Sequence, residues 1–214
     1  MPPASRGIFI TLEGGDGAGK STQARILADR LCDLTYTVCL TREPTGTALG
    51  TRIWSAFADS TASITPVAEL LFFSAARAQH MEEVIKPALA RYEIVICDRF
   101  ADSTIAYQGY GRGLPLDVVH ICNDLATGAL RPDLTLLFDL PPEAGTSRAN
   151  DRGARADDSI GQESLDFHRR VRDGFLQIAR EEPQRIAVID AASIEDAVAR
   201  AVWDRVEALL KAAR

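Results

Sequence analysis

The sequence predicts an α/β fold of three layers, a five-stranded parallel sheet with helices on both faces. Five short apolar runs carry the first part of this expectation: Ile8–Glu13, Tyr36–Thr41, Ile94–Asp98, Leu134–Leu140 and Arg185–Asp190. Each is mostly apolar rather than alternating, the pattern of strands covered on both faces. Helix-like segments separate them, at about Lys20–Cys32, Leu49–Ala58, Pro66–Ala90, Leu116–Gly128, Gly161–Glu181 and Ile194–Ala213. Strands alternating with helices imply parallel pairing. In such sheets ligands gather at the carboxyl ends of the strands, so the chemistry-bearing residues are expected just after each run.

Composition narrows the function classes. A chain of 214 residues is short enough for one domain, residues 1–214, because chains divide only beyond roughly 250–300 residues. Hydrophobic residues at 46% and charged residues at 25% fit a globular protein. A net charge of −6 argues against a non-specific nucleic-acid binder, and no nucleic-acid partner is expected. No apolar stretch reaches the roughly 20 residues that cross a bilayer, so no membrane partner is expected either. Met1–Arg6 lacks the apolar region of a signal peptide, which points to the cytoplasm. Cys32, Cys39, Cys97 and Cys122 have no metal-type spacing, and most are expected to be reduced and buried. The basic residues are 21 Arg and only three Lys, Lys20, Lys86 and Lys211.

The first run ends in Gly14-Gly15-Asp16-Gly17-Ala18-Gly19-Lys20-Ser21-Thr22, a full G-x-x-x-x-G-K-[ST] loop between a strand and a helix. Glycines let successive N–H groups turn inward around phosphate oxygens, and the following helix adds its positive end. Lys20 then reaches the β- and γ-phosphates and Ser21 ligates Mg²⁺. A compact ammonium on a flexible stem fits between closely spaced oxygens where a guanidinium is too broad, which separates Lys20 from the other two lysines.

The third run ends in Asp98-Arg99-Phe100. An acidic residue at a strand tip suits Mg²⁺ and its water shell, and the guanidinium of Arg99 offers a bidentate fork to an oxyanion. An acidic N-cap beside a surface Arg is the competing reading. Residues 101–109 read as a short helix, with Thr104 and Gln108 on one face and Ser103 and Tyr107 on another. The charged stretch from Pro141 to Phe167 carries Arg148, Arg152 and Arg155 at i, i+4 and i+7, a stripe that suits phosphates or, alternatively, a solvated face.

These pieces together resemble the thymidylate kinase family. The resemblance rests on Phe9–Thr22, Thr41-Arg42-Glu43-Pro44, Leu71–Arg77, Asp98-Arg99-Phe100 and Asp102–Gly111. Arg131–Thr135 and Gln162–Phe167 also fit, in the family's order, from about residue 8 to 190. It implies a nucleoside-monophosphate-kinase-like P-loop fold with a lid at about 142–162, a homodimer, and phosphorylation of dTMP to dTDP by ATP with Mg²⁺, in dTTP synthesis. By resemblance, Gly14–Thr22 and Arg148 bind ATP, while Ser21 and Asp98 serve the metal. Phe73 stacks on thymine and Arg77 bonds the base edge. Thr104 and Gln108 border base and sugar, Tyr107 crowds the 2′ position, and Asp16 meets the 3′-hydroxyl. Arg99 clamps the acceptor phosphate with Arg42 close by, and Lys20, Arg99, Arg152 and Arg155 are catalytic.

Some members of the family carry a catalytic Arg directly after the residue equivalent to Asp16, where this chain has Gly17. The lid arginines are then the source of charge, as in the bacterial type. Bacterial members also often carry arginines where this chain has Asp158-Ser159-Ile160-Gly161 and Trp54. Two other readings compete: a kinase for another nucleotide or deoxynucleoside, and a nucleotide-dependent switch. Against the switch, the sequence has no Asn-Lys-x-Asp motif, and a switch needs no acceptor-side arginine.

Overall fold

The computed structural model describes residues 6–58, 63–151 and 160–212. Strands β1 (Ile8–Gly14), β2 (Val38–Arg42), β3 (Ile94–Asp98), β4 (Leu134–Asp139) and β5 (Ile186–Asp190) form one sheet in the order β2-β3-β1-β4-β5. Every neighbouring pair is parallel. All five apolar runs are therefore strands, with β2 starting two residues later than expected. The central strands are buried on both faces, whereas the edge strands expose Leu40 (44%) and Val188 (46%). Near-continuous hydrophobicity therefore belongs to the middle of the sheet, where helices cover both sides.

The helices are α1 (Lys20–Asp33), α2 (Ala48–Ala58), α3 (Pro66–His80), α4 (Lys86–Ala90), α5 (Ala101–Thr104), α6 (Leu116–Thr127), α7 (Pro142–Asp151), α8 (Leu165–Glu181) and α9 (Glu195–Ala212). On one face of the sheet, Leu27 and Leu31 of α1 and Val198, Val202 and Val206 of α9 pack on Ile10, Leu12, Ile96 and Leu136. On the other, Phe9, Val95 and Cys97 meet Met81, Ile85 and Leu89. Leu137 and Ile186 meet Phe167, Val171, Phe175 and Ile178 of α8 on that same side. Successive side chains of a strand alternate between faces, so Thr11 and Glu13 share this second face with Phe9.

Four expectations change. The helix predicted over Pro66–Ala90 is α3, a π-helical turn at Met81–Ile85, and α4. Helix α8 begins at Leu165, not Gly161, because the Ser164 hydroxyl accepts from Phe167 N at 3.2 Å and sets the start there. The short helix over 101–109 is α5 followed by a π-helical stretch at Ile105–Gly111. Of the four cysteines, all free, only Cys97 is buried.

Candidate active site

Because β1 lies between β3 and β4, the loop after β1 and the tip of β3 are neighbours: Leu12 pairs with Asp98, and Asp98 in turn with Arg42 of β2. Two clefts open at these strand ends. The larger, about 400 Å³, is lined by Gly15, Asp16, Gly17, Gly19, Lys20, Ser21, Thr22 and Asp98, among others. The smaller, about 230 Å³, is lined by Trp54, Phe73, Arg77, Ser103, Thr104, Tyr107 and Gln108, among others. Asp16, Arg42, Glu43 and Arg99 line both. One cleft therefore carries the phosphate loop, the other an aromatic and polar slot, and an arginine pair stands where they meet.

The loop has its shape for steric reasons. Gly17 has φ 75°, and a Cβ there would lie 2.2 Å from the Gly145 carbonyl oxygen of α7; a Cβ on Gly145 would lie 2.4 Å from the Asp16 oxygen. The phosphate loop and the first turn of α7 thus touch backbone to backbone. No side chain fits at Gly17, so an arginine in the loop is incompatible with this packing. Ala18 is buried in the core, and Gly19, with φ 87°, starts α1. Lys20 Nζ donates to the carbonyls of Gly14 (3.0 Å) and Gly15 (2.7 Å). Burial pulls its ammonium down to about 8.

Asp98 and Ser21 come together: Ser21 Oγ donates to Asp98 Oδ2, while Asp98 Oδ1 is buried without a hydrogen-bond partner. A buried carboxylate oxygen left open beside a hydroxyl is the donor set a hard divalent cation takes. These residues therefore fit Mg²⁺.

Arg99 adopts φ 70°, a left-handed conformation that costs a non-glycine residue about 1 kcal/mol or more. Its backbone N–H donates to the Leu12 carbonyl at 2.9 Å. Its guanidinium reaches Gly14 O (3.2 Å), Ser103 Oγ (3.3 Å), Tyr107 Oη (3.4 Å) and Asp16. Burial opposes its charge, yet Tyr107, Asp16 and Asp98 hold it above the usual arginine range. Burial pushes the Tyr107 phenol up as well. Asp16 resists its own partial burial and is held below the usual carboxylate range by Arg99 and Lys20.

Arg77 is more committed to the protein than its spacing from Phe73 suggests. It is 3% exposed. Nε donates to Glu43 (2.8 Å), Nη1 to Thr104 and Asn123 (both 2.8 Å), and Nη2 to the Phe100 carbonyl (3.0 Å). A guanidinium has five hydrogens, so one on Nη2 is left for the cleft it lines. Gln108 Nε2 likewise donates to buried Glu69 at 2.6 Å. The π-helical stretch explains why Ser103, Thr104, Tyr107 and Gln108 all line one cleft although an α-helix would split them between faces: a wider turn rotates each residue less. Phe73 packs on Phe57 at 5.1 Å, and Phe57 on Trp54 at 5.6 Å.

A family model for thymidylate kinase matches residues 12–202. The chain belongs to the thymidylate kinase family. It is 51% identical to a thymidylate kinase of Synechococcus sp. (strain JA-3-3Ab), across 96% of this chain and 98% of that one. It is 50% identical to that of Deinococcus radiodurans, across 93% and 96%. Its structure resembles the crystal structure of thymidylate kinase from Ehrlichia chaffeensis, with a TM-score of 0.76 and 37% identity over 94% of this chain and 98% of that one. The chain is accordingly a kinase with the P-loop fold of this family.

Of the site residues expected for a thymidylate kinase, Arg152 and Arg155 lie outside the described residues. Arg148 does not line the larger cleft; it donates to the Ala191 carbonyl at 3.0 Å, bridging α7 to the loop after β5. The sequence reading missed His168 and Arg172 of α8, which line the larger cleft. It also missed Glu43, whose carboxylate accepts from Arg77 and, at 3.2 Å, from His80, and Glu13. The signal for Glu13 was an acid closing an otherwise apolar buried strand. Nothing along the chain announced α8's contribution.

Proposed function

We propose that this chain transfers the γ-phosphoryl group of ATP to dTMP by in-line attack, as one kinase domain with residues 142–162 as its lid. An acceptor phosphate oxygen forms a bond to the γ-phosphorus as the bond to the β,γ-bridging oxygen breaks, leaving ADP and dTDP. The observation that carries this reading is the shared wall: Asp16, Arg42, Glu43 and Arg99 border both clefts, so donor and acceptor phosphates meet at one arginine pair.

A phosphate oxygen is already nucleophilic, so catalysis is positioning and charge neutralisation. Gly14–Thr22 cradle the donor, and Lys20 moves from the loop carbonyls onto the β,γ-oxygens. Arg99, with Arg42, clamps the acceptor phosphate. Phe73 stacks on thymine, the remaining Nη2 hydrogen of Arg77 faces the base edge, and Thr104 and Gln108 border it. Tyr107 crowds the 2′ position and Asp16 meets the 3′-hydroxyl. Ser21 and Asp98 would hold Mg²⁺, which neutralises charge on the donor oxygens when bound. Arg148, tied to the loop after β5 outside the larger cleft, borders the adenine where it extends beyond that cleft, and Arg152 and Arg155 close over the transferring group and exclude water. The reaction is cytoplasmic in this reading.

The apolar face shared by α3 and α6 supports a homodimer in this reading. Val67 and Leu71 lie one turn apart on α3, and Val118, Ile121 and Leu125 lie at i, i+3 and i+7 on α6; Leu125 is 85% exposed. Ile121→Glu with Leu125→Glu is expected to yield monomers in light scattering.

The decisive assay measures ADP release with dTMP, dUMP, dCMP, dAMP, dGMP and thymidine as acceptors. A preference for anything but dTMP overturns the substrate. Arg99→Ala is expected to lower kcat/KM for dTMP by about 100-fold or more, as for a charge-assisted bidentate clamp in a dry site. A loss of only a few-fold removes the clamp.

A further inference from the structure

Glu13 is the next-to-last residue of β1, just before the phosphate loop. It is fully buried and lines neither cleft. Its Oε1 accepts from Phe100 N at 2.7 Å and Ser103 N at 3.2 Å, and its Oε2 lies 2.5 Å from Ser103 Oγ. One carboxyl thus takes the N-terminal N–H groups of α5 and a side chain on its first turn. The segment it holds begins at Arg99, whose left-handed backbone needs support from its surroundings. Ser103 Oγ is also within 3.3 Å of Arg99 Nη1 and lines the acceptor cleft.

We propose that Glu13 is a positioning residue for the acceptor, acting through Ser103: it sets which way the Ser103 hydroxyl donates and thereby makes that hydroxyl a ligand of the acceptor nucleotide's phosphate or sugar. This rests on the reading of the smaller cleft as the acceptor site.

Donors and acceptors around Glu13 leave one arrangement for each protonation state. Oε1 is occupied as an acceptor by two N–H groups, so a proton on this carboxyl sits on Oε2 and has Ser103 Oγ as its partner. Ser103 then accepts from Glu13, and its own hydrogen is released towards the cleft. When Glu13 is ionised the direction reverses: the Ser103 hydroxyl donates inward to Oε2, and the cleft is left with an oxygen that repels phosphate. The neutral form prevails at neutral pH because burial, reinforced by the Asp102 carboxyl, pushes the acid up to about 8. The charged groups around it are few. Arg99 and Lys20 favour the carboxylate, Asp102 opposes it, and the Cys97 thiol and Tyr107 phenol nearby are pushed up by burial and stay uncharged. Asp102 is itself ion-paired with Arg185 through contacts of 2.7 and 2.9 Å.

The test separates KM for dTMP from KM for ATP. In the wild type, KM for dTMP is expected to rise about tenfold as pH passes through about 8, the loss of one hydrogen bond, with KM for ATP following a different course. In Glu13→Gln the side-chain amide donates to Ser103 at every pH, and this rise is expected to be absent. Ser103→Ala is expected to raise KM for dTMP about tenfold already at neutral pH, to leave KM for ATP within about twofold, and to abolish the pH-dependent rise. The proposal is overturned if Glu13→Gln rises in parallel with the wild type, or if Ser103→Ala leaves KM for dTMP unchanged or raises both KM values alike. Should Arg99→Ala spare dTMP binding while Ser103→Ala weakens it, the arginine clamp fails and the Glu13–Ser103 device stands.

Discussion

Arg77 offers the sharpest test of how the smaller cleft is built, because most of its hydrogen bonds are spent on the protein itself. Arg77→Met keeps the length and apolar stem of the side chain and deletes the head group. Four hydrogen bonds are lost, and the buried Glu43 carboxylate, 6% exposed, loses its partner at 2.8 Å. Removing one member of a buried ion pair typically costs about 3–5 kcal/mol, because the other charge is stranded. For a chain of this size each kcal/mol moves Tm by about 2–4 °C, so a fall of roughly 6–20 °C is expected. Urea denaturation should show a lower midpoint at an unchanged slope. Glu43→Gln combined with Arg77→Met removes the stranded charge, and the double variant should recover part of the loss, with a coupling energy of about 1–3 kcal/mol. Single-variant losses below about 1 kcal/mol, or strictly additive losses, would refute the buried-pair reasoning.

Four further outcomes follow from the same geometry. Glu13 favours its neutral form in the folded state, so the folded chain binds more protons than the unfolded one between about 4.5 and 8; its stabilising contribution is full below that window and lost as pH rises through about 8. The Tm of Glu13→Gln should therefore fall less than that of the wild type as pH rises from about 4.5 to about 8, and equal slopes across that window count against the assignment. Gly17→Ala places a Cβ 2.2 Å from the Gly145 oxygen, so ATP affinity measured by calorimetry should drop by about tenfold or more; unchanged affinity means the loop and α7 separate freely. Of the two tryptophans, Trp54 lines the smaller cleft, whereas Trp203 stacks under Arg30 at 3.7 Å on the opposite face of the sheet. dTMP should alter tryptophan emission in the wild type and in Trp203→Phe but not in Trp54→Phe. Asp98→Asn should raise the Mg²⁺ concentration for half-maximal activity by about tenfold or more, the scale of losing one charged ligand; an unchanged requirement moves the metal elsewhere.

The alternation of strands and helices, the phosphate loop and the family were legible along the chain, because each is written in local terms. A strand covered on both faces must be apolar throughout, a backbone that cradles phosphate must have glycines at fixed spacing, and both survive any change in distant packing. Lys20, Ser21, Asp98 and Arg99 were legible for the same reason: each sits at a strand end or helix start, where this architecture gathers ligands. Edge strand β2 was placed two residues early because its half-exposed pattern gives a weaker boundary. Groups that meet across the chain could be found only once the elements were packed together. Glu13 and Ser103 are 90 residues apart, and only the placement of β1 beside β3 makes one the anchor of the other. Gly17 excludes an arginine because Gly145 comes from another helix. Arg77, spaced as a base contact, spends four of its five hydrogens on the protein. A π-helical stretch, with no signature in the periodicity, turned two presumed faces into one cleft wall. Spacing along a chain records which side of its own element a residue occupies; which partners occupy its hydrogen bonds is set by the elements packed against it.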